Sequence, residues 1–403
     1  MTDRSRPLPY GRQLIEDDDV AAVAKALKAD LLTTGPEVGR FERTLAEKTG
    51  AGFAVACSNG TAALHLAALA LNLGPGDKAI VPAITFLATA NCARYVGADV
   101  VFADVDPATG LMTPETLSEA IGQAGSAARV VLPVHLNGQA ADMAGIARVA
   151  RAKGLKIVED ACHGIGGEMK GADGRWVPVG ACADADMATF SFHPVKTVAM
   201  GEGGAVTTND KALADRLALL RNHGMTRDAA LFTERSQAFD DDGEPNPWYY
   251  EMPEPGFNYR ATDFQCALGT SQLGKLARFV SARREIAAMY DEHLAHLAPL
   301  VKTVAKAPWS RPALHLYAVQ VDFAAARTSR AHVMRALKAD DIGTQVHYLP
   351  VNRQPYYRRL YGETALPGAD AYYEKALSLP LFVGMTEADV ARVSLALGRA
   401  LKP

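Results

Sequence analysis

Short uninterrupted apolar runs alternate with longer segments of helical period through the first two-thirds of the chain. The runs at 79–82 (AIVP), 100–104 (VVFAD), 130–133 (VVLP), 156–159 (KIVE) and 187–191 (MATFS) lack the in-out alternation of a half-exposed sheet. They predict strands buried on both faces, as parallel strands are. Segments 61–71, 86–95, 114–121 and 143–153 carry the helical period between them. This order predicts an α/β fold with a mostly parallel central sheet flanked by helices. Ligands in such sheets collect beyond the carboxyl ends of the strands.

The pattern breaks at 227–255, with Asp240, Asp241 and Asp242, then Pro245, Pro247 and Pro253 around the cluster Trp248, Tyr249 and Tyr250. It reads as a long loop, and loops of that length in compact domains tend to carry function. Beyond it, 272–297 reads as a charged helix, 315–323 as a strand, 330–340 as a helix and 387–401 as a last helix. The expected division is a large α/β domain with an N-terminal arm over 1–270 and a smaller α+β domain over 271–403. No internal repeat interrupts this organisation.

Composition narrows the function classes. With 49% hydrophobic and 22% charged residues, the chain has the balance of a soluble globular protein. A net charge of −3 supplies no global field for nucleic acid or an anionic membrane. The polar residues 1–10 are no signal peptide, and the apolar run at 62–73 is too short to span a bilayer. Five cysteines at 57, 92, 162, 182 and 266 make neither a disulfide framework nor a zinc pattern. They read as core thiols of a cytoplasmic protein.

Three motifs carry chemistry. Ser58, Asn59, Gly60, Thr61 and Ala62 form a small polar turn opening an apolar helix, where backbone N–H groups and the helix dipole favour an anion. An ordinary N-cap would read the same. Asp160 ends the strand IVED, at the crevice side, where a carboxylate calls for a cationic partner such as a pyridinium nitrogen; a loop acid capping the next helix is the bland alternative. Lys196, in FSFHPVKT ahead of GEGGA, follows a buried strand, a setting that desolvates an ammonium and favours the neutral amine of Schiff-base chemistry. A solvated surface lysine is its alternative.

The order of the three, phosphate cradle, strand-end Asp, then Lys after a strand, resembles the sugar-nucleotide aminotransferases, the DegT-like branch of the fold-type I pyridoxal-phosphate enzymes. The resemblance runs from about residue 10 to the C-terminus and is most specific in FSFHPVKT with GEGGAVTTND. It implies pyridoxal 5'-phosphate as cofactor, bound covalently by Lys196, with Asp160 on the ring nitrogen and Phe86 stacked on the ring. It also implies phosphate contacts from Gly60, Thr61, Ala62 and Ser191, and His163 near the ring's 3-oxygen. Asn258 in GFNYR would reach the phosphate of a partner subunit in a homodimer. L-glutamate is the implied donor, with Arg260 a candidate for its carboxylate. Related dehydratases carry a histidine in place of the lysine; here the lysine is present.

A second resemblance concerns the acceptor. IGTQVHYLP, with Pro355, Tyr356 and Tyr357 after it, is similar to the pseudaminic-acid-pathway branch of that family. Those enzymes aminate C4 of a UDP-linked 4-keto-6-deoxy-N-acetylhexosamine. By that likeness Tyr10, Thr33, Thr34, Gly35, His347, Tyr348, Leu349 and Pro350 would line the nucleotide-sugar site. The acidic loop at 240–242 departs from the branch. Three alternatives stay open: a 3- or 4-aminotransferase for another dTDP-, GDP- or UDP-linked sugar, a non-catalytic pyridoxal-phosphate-bound regulator, and another pyridoxal-phosphate reaction such as desulfuration. The regulator would bring a DNA-binding module for which the chain is expected to have no room. No cysteine sits in an evident catalytic loop for the last.

Overall fold

The computed structural model describes residues 7–402, so the first six residues of the polar N-terminus lie outside it. Five strands come first: β1 (Phe53–Cys57), β2 (Lys78–Pro82), β3 (Asp99–Ala103), β4 (Ala128–Val131) and β5 (Lys156–Asp160). They are followed by β6 (Glu168–Lys170), β7 (Trp176–Pro178), β8 (Met187–Ser191) and β9 (Gly204–Thr208). The C-terminal part adds β10 (Val301–Thr303), β11 (Ser310–Arg311), β12 (Tyr317–Val321) and β13 (Ala376–Leu379).

The main sheet has seven strands in the order β1-β9-β8-β5-β4-β2-β3. Strands β8, β5, β4, β2 and β3 pair parallel, and β9 runs antiparallel between β1 and β8. Helices cover both faces, because strands this apolar have no face to give to water. Helix Gly60–Ala70 is buried almost all round, which suits a helix lying between sheet and neighbours rather than at the surface.

Four predicted strands fall within two residues of their place, and Met187–Ser191 falls on it. The run expected at 130–133 is a strand at Ala128–Val131, and its continuation still hydrogen-bonds: the Asp160 N–H donates to the Pro133 carbonyl at 2.8 Å. Strands β1 and β9 and helices Asp17–Leu27 and Pro36–Thr49 lie where no element was expected. The helix expected at 272–297 divides at Lys275 into Asp263–Gly274 and Leu276–His293. The segment 227–255 contains only the short turns Ala229–Leu231 and Arg235–Ala238, and Trp248 stands 72% exposed on it. All five cysteines are free, and Cys162 alone of them is not fully buried.

A second sheet, β10-β12-β13, is antiparallel and has its own apolar core, built from residues at 286 and beyond together with Leu8. Leu8 arrives there by pairing with the segment after helix Arg330–Ala339, through Leu8 N–H to the Asp341 carbonyl and Gly343 N–H to the Leu8 carbonyl. The N-terminal arm is thereby fixed beside the C-terminal segment 342–349.

Gly204 explains why the glycine run precedes β9. A Cβ there would lie 2.2 Å from the carbonyl oxygen of Asn59, so only glycine lets β9 pass under the Asn59–Gly60 turn. Gly204→Ala is expected to lose about 1–3 kcal/mol in denaturant unfolding, the usual cost of overpacking against backbone. Unchanged stability would show that the turn yields freely.

Candidate active site

A cavity of about 890 Å³ opens at the carboxyl ends of β5 and β8. Its floor is the turn Asn59, Gly60 and Thr61; Phe86, Asp160, Cys162, His163, Ser191 and Lys196 surround it, and the segment 345–349 with Tyr10 forms the far wall. Three motifs spread along the chain from Ser58 to Lys196 thus meet in one crevice, where a parallel sheet gathers its loops.

The floor is an anion cradle. Asn59 caps the helix, its Oδ1 accepting the Ala62 N–H at 2.9 Å while its carbonyl accepts the Ala63 N–H at 3.0 Å. Among the described residues the N–H groups of Gly60 and Thr61 have no acceptor, at the positive end of the helix. Ala62 therefore contributes wall, its amide being taken by the cap. A Cβ on Gly60 would lie 2.8 Å from the Ser191 Cβ, so glycine is what brings the Ser191 hydroxyl to the cradle.

Asp160 is 5% exposed and held at both oxygens: Thr89 Oγ1 donates to Oδ2 at 2.6 Å, and the Cys162 N–H donates to Oδ1 at 3.2 Å. Thr89 is in turn bonded to Thr85 at 2.7 Å. Neither threonine was singled out by sequence; each reads as an ordinary residue near the start of a helix. Phe86 projects into the cavity 54% exposed, its ring open to whatever occupies the cavity.

Lys196 is half-buried, and among the described residues that line the cavity it is the only lysine or arginine. Burial pulls its ammonium below the usual lysine range, with Cys162 and Asp160 pulling the other way. His163, His315 and His347 stand around it. Burial holds His163 and His315 well below the usual imidazole range, with Lys196 adding to both, and pushes His347 down to about 3, again with Lys196 adding. All three are neutral near pH 7.

The neutral state assigns a tautomer. His163 Nδ1 is buried with no partner among the described residues, and Nε2 lies 3.1 Å from the Tyr348 hydroxyl. A buried lone pair is less costly to leave unmet than a buried N–H, so the proton sits on Nε2 and donates to Tyr348. The Tyr348 hydroxyl hydrogen is then left for the cavity. His315 packs on His163 with ring centroids 4.4 Å apart. Sequence reading took His315 only as the start of a strand; its burial beside His163 is visible only in three dimensions.

Of the residues expected from sequence, Tyr10, Gly60, Thr61, Ala62, Phe86, Asp160, His163, Ser191, Lys196, His347, Tyr348 and Leu349 line the cavity. The turn at Thr33, Thr34 and Gly35 does not: the two threonines are exposed and the Gly35 N–H donates to Asp263 Oδ2 at 2.8 Å. Pro350 is buried beyond the wall, and Asn258 is exposed, paired through a backbone bridge with Asn222. Arg260 donates to Asn222 Oδ1 at 2.7 Å and lies outside the cavity lining.

Comparison with known proteins adds four findings. The family model for the DegT/DnrJ/EryC1/StrS aminotransferases matches residues 13–398. The chain is 38% identical over 390 residues to the spore coat polysaccharide biosynthesis protein SpsC of Bacillus subtilis, covering 96% of this chain and 95% of that one. Its fold is similar to the putative sugar aminotransferase Spr1654 of Streptococcus pneumoniae in its PLP form, at TM-score 0.85, 26% identity and 98% and 99% coverage of the two chains. It is similar as well to Helicobacter pylori PseC, an aminotransferase involved in the biosynthesis of pseudoaminic acid, at TM-score 0.87, 25% identity and 98% and 99% coverage.

Proposed function

Because the chain belongs to the DegT/DnrJ/EryC1/StrS aminotransferase family, and is with it a pyridoxal-phosphate-dependent sugar aminotransferase, we propose that it moves an amino group from L-glutamate to C4 of a UDP-linked 4-keto-6-deoxy-N-acetylhexosamine. The observation that carries this reading is the wall formed by Tyr10, His347 and Tyr348 facing Lys196, together with the likeness to PseC.

The residues fit the cofactor. The open amides of Gly60 and Thr61 beside the Ser191 hydroxyl suit a phosphate, and Asp160, buried with both oxygens already oriented, suits a ring cation. Pyridoxal phosphate, when bound, supplies a carbonyl that takes up an amino group and a ring that stores an electron pair. Lys196 would hold the cofactor, and its free Nζ would take a proton from the substrate carbon and return it. Its low affinity for a proton suits that exchange. Phe86, which lines the cavity, would cover the ring and exclude water. Tyr348, with its hydroxyl hydrogen turned to the cavity, offers a hydrogen bond to a sugar oxygen.

Two further features belong to the proposal. A smaller C-terminal unit is supported by the separate core from residue 286 onward, whereas Leu273, Leu276 and Val280, beyond the proposed boundary at 270–271, still pack in the core of the main sheet. A homodimer with Asn258 reaching the partner's cofactor phosphate is supported by the exposure of Asn258 outside its own cavity. Asn258→Ala is then expected to weaken cofactor retention on dialysis while leaving the melting temperature of the apoprotein in place; equal retention removes the support for a shared site.

The acceptor is tested by spectrum. Glutamate should bleach the visible absorbance of the lysine-bound cofactor, and the UDP-4-keto-sugar should restore it with release of one amino-sugar. Restoration by a dTDP- or GDP-linked keto-sugar and not by the UDP-sugar would replace this acceptor. An acceptor other than that of PseC is favoured by the higher identity to SpsC, a spore coat polysaccharide biosynthesis protein, at 38% against 25%. Restoration by none of them would overturn the sugar reading of this wall.

A further inference from the structure

On the face of β5 opposite the cavity lies a polar pair with no role in the reaction as described. Glu159 and Asp160 are consecutive in a strand, so their side chains point to opposite faces. Glu159 and His135 are both fully buried, and His135 Nε2 lies 3.0 Å from Glu159 Oε2. The Ala141 N–H donates to His135 Nδ1 at 3.3 Å, which makes Nδ1 the acceptor and leaves the ring proton on Nε2, donated to the carboxylate. Glu159 Oε1 has no partner among the described residues. The backbones are locked together as well: the His135 N–H donates to the Asp160 carbonyl at 3.1 Å, and Val134 and Asp160 form a parallel bridge.

A buried pair with an unmet oxygen is a poor source of stability, since well-packed apolar side chains commonly do as well. Its geometric effect is specific. Strand β4 ends at Val131, and the pair extends the β4–β5 ladder to the last residue of β5, the one that carries the carboxylate of the site. The turn that follows His135 is equally constrained: a Cβ on Gly138 would lie 2.8 Å from the backbone nitrogens of Leu314 and His315 and 3.0 Å from the His163 carbonyl. One latch therefore holds Asp160 from behind and fixes the turn on which His163 and His315 rest.

We propose that His135 and Glu159 are positioning residues that aim Asp160 at the ring nitrogen of the cofactor, acting by hydrogen-bond geometry across the sheet. The proposal rests on the assignment of Asp160 to that nitrogen, and the experiment separates the two. The holoenzyme, the double variant His135→Leu with Glu159→Leu, the single variant Glu159→Gln, and Asp160→Ala are compared by thermal unfolding, by cofactor dissociation constant, and by the pH dependence of the visible cofactor spectrum.

The double leucine variant is expected to melt near the parent, to bind cofactor about ten- to a hundredfold more weakly, as small misplacements in a site do, and to shift the spectral titration toward that of Asp160→Ala. Glu159→Gln, whose amide oxygen still accepts from His135, should follow the parent in all three. Parent-like cofactor binding and spectrum in the double variant overturn the proposal, as does a Glu159→Gln loss equal to that of the double variant. If Asp160→Ala itself leaves binding and spectrum untouched, the reading of Asp160 fails and this proposal with it. Should the double variant not fold, His135→Gln, which keeps a donor toward Glu159, and His135→Met, which does not, replace it: weaker cofactor binding in the methionine variant alone supports the latch, and equal binding overturns it.

Discussion

Lys196→Ala should yield a folded protein with no visible absorbance from lysine-bound cofactor and with turnover reduced by at least about 10²–10⁴-fold, the range that proton transfer by a positioned group contributes. The loss should be chemical rather than structural, because Lys196 Nζ makes no hydrogen bond or ion pair with another described residue and meets Cys162 and Asp160 only through charge. No other lysine or arginine among the described residues lines the cavity to take its place. Burial already lowers the proton affinity of Lys196, so in the parent the neutral amine forms at lower pH than for a lysine in water. Reloading of the apoprotein with pyridoxal phosphate should therefore stay efficient below the pH at which a solvated lysine fails. Turnover retained by the alanine variant without added amine would sink the assignment of Lys196.

That prediction rests on residues that were legible before any coordinates. FSFHPVKT and IVED close apolar runs strong enough to place β8 and β5, and SNGTA opens an expected helix, although β1 just ahead of it was not expected. The pieces that escaped have physical reasons. β9 begins in glycines, which carry no hydrophobic signal; what they record is the close passage of one backbone under another, and that is visible only once Asn59 lies above Gly204. Thr89 bonds Asp160 across 71 positions, and His315 meets His163 across a still longer span; both contacts depend on strand order and on where the C-terminal segment returns. The turn at Thr33, Thr34 and Gly35 was assigned by likeness to nucleotide-sugar enzymes, and in this chain Asp263 holds it away from the cavity wall.

Asp160→Ala carries the second large effect. A carboxylate close to a ring nitrogen favours the protonated ring by about 1–3 pKa units, so its removal should weaken binding of the protonated cofactor by roughly 10- to 1,000-fold. Turnover should fall further than cofactor occupancy, since saturating cofactor refills the site without restoring the ring's capacity to store electrons. The sign of the pH dependence follows: without the carboxylate the ring nitrogen releases its proton at lower pH, so residual activity should rise as the pH is lowered and the optimum should move to the acid side. Asp160→Asn keeps the shape and removes the charge: the asparagine oxygen still accepts from Thr89 Oγ1, which lies 2.6 Å from Oδ2 in the parent, while the NH2 in place of Oδ1 gives up the longer bond from the Cys162 N–H at 3.2 Å. It should keep the fold and lose most of the activity, with the same acid-side shift. An asparagine variant with parent-like turnover and pH optimum would show that Asp160 serves only to order the cavity wall, and the electron-storing role would then have to lie with another group.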